Sequence, residues 1–101
     1  MSEKAHATMT EQELFALGLD PKRLFVGSLE RAVSDQAMTW LLRAVFEAFG
    51  QVTSINLWAD NGMALVDFAS FLQAQSALVS LNGQPVPGVS NCISVKFSRR
   101  F

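Results

Sequence analysis

Catalysis needs nucleophiles, acids and bases held close together, and this sequence offers few of them. Its single histidine is His6 and its single cysteine is Cys92. A Cys/His zinc site is therefore not expected, nor a Ser-His or Cys-His arrangement using an internal histidine. The nine acidic residues, Glu3, Glu11, Glu13, Asp20, Glu30, Asp35, Glu47, Asp60 and Asp67, are scattered with no obvious catalytic pair. That spread argues against general acid/base chemistry, so no enzyme, metal or cofactor is expected. What remains is the chemistry of contact, in which rings and thioethers pack and cations meet anions. The stretch NGMALVDF, Asn61 to Phe68, shows it most clearly. Ala64, Val66 and Phe68 suit a core, whereas Met63, Leu65 and Asp67 fall on the opposite side of a strand. A water-facing strand would normally carry Lys, Thr or Glu there, and two of these three residues are large and apolar.

Charge adds a second pattern. Net charge is −1, which is not the footprint of a protein that holds nucleic acid by bulk electrostatics. The basic residues are nonetheless placed in pairs, Lys22-Arg23 and Arg99-Arg100, with Lys96 close to the second. No charged residue lies between Asp67 and Lys96. That long neutral run is unusual for a surface exposed only to water.

The elements that must position these residues fit one domain of common size, since the chain has 101 residues, half of them hydrophobic. The longest apolar runs fall far short of the roughly 20 residues that a membrane helix requires. MSEKAHATMT lacks the apolar region of a secretory signal, and a lone cysteine cannot form an intramolecular disulfide. An intracellular protein with no membrane partner is expected.

Residues 1–21 read as a leader containing one short helix, and residues 22–101 as the domain. Thr10 and Glu13 fit a capping box that opens the helix, and Gly18 can end it. KRLFVGSL then reads as a strand from Lys22. Ser34 can cap a helix from Asp35 to Phe49, with Gly50 as a left-handed terminator. Its core face is marked by Met38, Leu42, Val45, Phe46 and Phe49. Val52 to Trp58 alternates as a strand, and ADNG supplies a turn into the next strand, NGMALVDF from Asn61 to Phe68. A second helix opens near Ser70, buries Ala74, Ala77, Leu78 and Leu81, and stops at Asn82-Gly83. CISVKFS forms a final strand. The order strand, helix, strand, strand, helix, strand predicts an α+β, ferredoxin-like βαββαβ fold. Its four-stranded antiparallel sheet carries two helices on one face and leaves the other open.

From about Arg23 to Arg100 the sequence resembles the RNA recognition motif (RRM) family. LFVGSL at Leu24 to Leu29 is similar to the six-residue RNP motif, and NGMALVDF takes the place of the eight-residue one. LLRAVFEAFGQV is similar to the family's first helix and the approach to strand two, and ALVSLNG to the end of its second helix. The resemblance implies single-stranded RNA lying across the open face, its bases stacked on side chains. Alternation puts Phe25, Asn56, Trp58, Met63, Leu65 and Lys96 on that face, and Arg99 and Arg100 are expected to bind RNA at its edge. Phe25 matches a stacking position in type. Met63 and Leu65 stand where the family has rings, and Asn61 where it has a basic residue. Trp58 either stands on the sheet or closes the end of the core. Lys22-Arg23 and Arg99-Arg100 are expected to meet as one positive cluster, with Phe101 as a further stacking ring.

The helix from Asp35 carries a second apolar band opposite its core face: Ala37, Trp40, Leu41, Ala44 and Ala48. Two explanations stay open. The amino-terminal helix could dock there through Leu14, Phe15 and Leu17, or Trp40, Leu41 and Ala44 could meet a partner protein or a second copy of the chain. The reading that follows is an RNA-binding protein with one RRM and modest affinity, in the nucleus or cytoplasm. The alternative is a protein-interaction RRM that joins a ribonucleoprotein assembly through its apolar sheet or this helix face.

Overall fold

The structure, a computed structural model, describes residues 9–30 and 33–100. The leader reading of residues 1–8, which includes His6, and the ring expected of Phe101 lie outside the described residues.

The first element is the short helix α1 (Glu11–Ala16), fixed by the capping box its sequence promises. Glu13 N–H donates to Thr10 Oγ1 (3.1 Å), and Thr10 N–H donates to Glu13 Oε1 (2.8 Å). Two otherwise orphaned backbone donors are thereby satisfied. Gly18, with φ of +82°, ends the helical turn and swings the chain into β1 (Leu19–Gly27). That strand begins before the expected start at Lys22. Asp20-Pro21 suggests a break, yet the ladder tolerates it through an irregularity: pairing with the last strand jumps from Asp20↔Ser98 to Leu24↔Phe97. Pro21 sits inside this bulge, where no ladder N–H is required of it.

Next comes α2 (Asp35–Phe46), whose Ser34 cap accepts from Ala37 N–H (3.2 Å). It stops short of the expected end at Phe49, and Gly50 is not left-handed. Gly50 serves a different purpose, because the Gln73 side chain occupies the space a Cβ would need. Gln51 N–H donates to Gln73 Oε1 (3.0 Å) beside it, so the glycine lets two segments approach closely. The chain continues through β2 (Val52–Trp58), a 3₁₀ turn (Ala59–Asn61), β3 (Met63–Phe68), α3 (Phe71–Leu81) capped by Ser70, and β4 (Ser94–Arg99).

The four strands form one antiparallel sheet in the order β2-β3-β1-β4. Leu24 and Val26, Ala64, Val66 and Phe68, and Val95 and Phe97 point to the helices and are buried. Met38, Leu42 and Phe46 of α2, and Ala74, Ala77 and Leu78 of α3, close the other side of this core. Phe46 meets Phe68 edge to face, with ring centroids 6.2 Å apart, a favoured aromatic geometry. The ferredoxin-like α+β arrangement is thus the one the element order predicts.

The docking explanation for the second band of α2 fails. Only Leu14 of α1 enters the core; α1 packs against β1, while Phe15 and Leu17 stay exposed. Gly18 leads directly into β1, which fixes α1 at that end of the sheet. Trp40 is left 77% exposed.

Candidate nucleic-acid interface

Register converts the open face into rows of side chains. Asn56 pairs with Leu65, Leu65 with Phe25, and Phe25 with Lys96, so one row crosses all four strands. A neighbouring row begins with Trp58 opposite Met63 and ends with Gly27 opposite Ser94. Gly27 has no side chain, and the position is buried, with the ring of Phe25 and the Ser94 Cβ packed over it. Phe25, Met63 and Leu65 are half-buried, whereas Asn56 and Lys96 are exposed. Trp58 is 46% exposed and shares the face with Met63. Of the two placements open to it, the one on the sheet is observed.

Phe25, Trp58, Met63, Leu65, Lys96 and Arg99 line one concavity of about 570 Å³, and Leu19 borders it too. The Lys96 ammonium lies 5.3 Å from the centroid of the Phe25 ring, within cation–π range. A base stacked on that ring would bring its own phosphate close to a positive charge. The site therefore combines a flat aromatic surface, apolar walls and a cation.

The expected positive cluster is not formed as a unit. Arg23 lies opposite Asp67 on β3, and its Nε–H and Nη2–H donate to the two carboxylate oxygens at 2.7 and 3.2 Å. This hydrogen bond to Asp67, opposed in part by burial and helped by the charges of Asp67 and Asp20, raises the Arg23 pKa above its ordinary value. Arg99 pairs with Leu19, and the Arg100 guanidinium sits 3.9 Å from the centroid of the Phe15 ring. The bulge after Asp20 carries the register past Lys22-Arg23, so the two basic pairs do not align across the ladder. Arg99 stays at the concavity, while Arg100 is turned to α1.

Sequence reasoning missed the ion pair and the contribution of Leu19. Both depend on which residues sit opposite one another across strands, and no local pattern announces that. On the helix side, Trp40 and Ala44 are exposed and Leu41 is half-buried against the core. Leu72 and Val79 of α3 are also exposed. Among the described residues no cluster of His, Cys, Asp and Glu is placed to hold a metal ion, and no helix is long and apolar enough to cross a membrane.

The fold has clear relatives among solved structures. The RRM domain of S. pombe Puf1 matches with a TM-score of 0.63 at 25% identity, covering 78% of this chain and 99% of that one. The C. elegans NONO-1 homodimer matches at 26% identity and a TM-score of 0.62, covering 77% of this chain and 29% of that one. The Sxl-lethal protein, solved as a complex with RNA, shares the fold with a TM-score of 0.65 at 24% identity, covering 80% of this chain and 50% of that one. The sequence profile described as RNA recognition motif matches residues 24–89, from the first residue of the six-residue motif on β1 to the loop before β4. On that match and this topology, the chain belongs to the RNA recognition motif family.

Proposed function

We propose that this protein binds short single-stranded RNA across its open sheet face with modest affinity. The observation that carries the reading is Phe25, half-buried at the centre of the sheet, with Lys96 over its ring and a concavity beside it. Phe25 stacks one base, Trp58 and Met63 flank the next, and Asn56 and Lys96 meet base edges or phosphates. Membership of the family and the RNA complex of the Sxl-lethal protein support the same reading.

Magnitudes explain the modest affinity. Base–aromatic stacking contributes about 1–3 kcal/mol per base, and Met63 and Leu65 replace two rings with softer packing. Few cations face the strand, so about two to four phosphates are neutralised, and log Kd changes with log salt by about 0.7 for each. Titration of labelled protein with short single-stranded RNAs, followed by NMR, tests this. Shifts should concentrate at Phe25, Met63, Leu65 and Lys96. A spectrum unmoved at those residues under high RNA concentration would refute the reading.

A second reading is favoured by Trp40, a large ring 77% exposed on α2 and left uncovered by α1. Here α2 joins a protein partner or a second copy within a ribonucleoprotein assembly. The C. elegans NONO-1 chain, part of which shares this fold, is a homodimer, which supports this reading. Sedimentation and pull-down of Trp40→Glu beside Phe25→Ala separate the two: loss of association only in Trp40→Glu supports the helix face.

A further inference from the structure

The Arg23–Asp67 ion pair stands on the same open face as Phe25, in the adjacent row of side chains. Arg23 is two positions before Phe25 on β1 and Asp67 two positions after Leu65 on β3, in unbroken register. Their side chains are 28% and 20% exposed, so a ligand crossing the sheet can reach them. The Nε and Nη2 edge of the guanidinium is engaged by the carboxylate at 2.7 and 3.2 Å. A guanidinium grips a phosphate with the same planar fork it offers a carboxylate, so the two anions compete for one edge.

We propose that Arg23 is a latent phosphate-binding residue, and that Asp67 occupies it and thereby limits how tightly the sheet holds RNA. The ligand is a backbone phosphodiester of the strand that stacks on Phe25, so the inference rests on the RNA reading above. In the wild-type protein the carboxylate fills the edge a phosphate would take, and its charge repels the approaching strand. Binding then draws on stacking at Phe25 and on the cations Lys96 and Arg99. Removing the carboxylate charge frees the fork one row from the stacked base.

The test compares Asp67→Asn with Asp35→Asn, which makes the same change in net charge at the first turn of α2 rather than on the sheet. Each protein is titrated with a mixed-sequence single-stranded RNA of about ten nucleotides, within the usual site sizes for such surfaces, over a range of salt. Thermal melts confirm that both variants are folded. Asp67→Asn should tighten binding about five- to tenfold and steepen the log–log salt slope by about 0.7, the change for one more phosphate. The Arg23 side-chain Nε–H resonance should move on RNA addition in Asp67→Asn and stay in place in the wild type. Equal gains in the two variants, or an unmoved Arg23 resonance in Asp67→Asn, overturn the proposal. If Phe25→Ala still weakens binding while Asp67→Asn changes nothing, the sheet remains the RNA site and only this inference falls. If RNA binds neither the wild type nor Asp67→Asn, both fall.

Discussion

On the open face of the sheet, Phe25, Met63 and Leu65 are half-buried by one another and surround a hollow that two cations reach. On the outer surface of the helices, Trp40, Leu72 and Val79 stand exposed. Both surfaces are apolar, yet only the first has its apolar groups gathered by strand register into adjoining rows. Cross-strand neighbours sit close enough to shape a common surface, whereas residues on separate helices have no such ruler. Exposed apolar area alone is thus a weaker sign of a site than apolar area arranged around a cavity with placed charges.

The harshest way to break the contrast is to remove what both faces share. Phe46→Ala deletes a fully buried ring that packs on Phe68, and should cost about 3–5 kcal/mol of stability. Chemical denaturation would show the loss, and both surfaces should fail together. A sharper cut is Phe25→Ala, expected to weaken RNA binding by about 1–3 kcal/mol. Trp40→Ala should leave RNA affinity unchanged in the same titration; an equal loss would erase the distinction between the faces. The smallest change comes from Lys96→Met, which removes the ammonium above Phe25. Its salt slope should be shallower by about 0.7, one phosphate fewer, with the melting temperature close to that of the wild type.

Much of the fold was legible because its signals are local. Thr10 and Glu13 announce their capping box, Ser34 and Ser70 cap the helices they precede, and alternation from Leu24 to Val26 and Ala64 to Phe68 assigns the two faces of the sheet. The same alternation put Phe25, Met63, Leu65 and Lys96 on one face, where they are found. What the sequence hid depends on long-range register. Pro21 reads as a strand breaker until the bulge that accommodates it is seen. Arg23 and Asp67 are 44 residues apart and become partners only when β1 lies beside β3. Arg100 looks like a free basic end until Phe15 of α1 is found beneath it. Gly50 looks like a helix terminator, and only the packing of Gln73 reveals why the position is small.

The bulged β1 also brings Leu19 beside Arg99, and Arg100 N–H donates to Gly18 O (3.1 Å) just beyond them. Under mechanical load this end of the ribbon behaves as a zipper. Tension applied between Gly18 and Arg100 pulls across the strands, along the β1–β4 hydrogen bonds, so the rungs are loaded singly and open in sequence. Load between Gly18 and Ser94, which lie at opposite ends of the ladder, would instead shear its rungs together. The resistance of this ladder to being pulled is therefore set by direction.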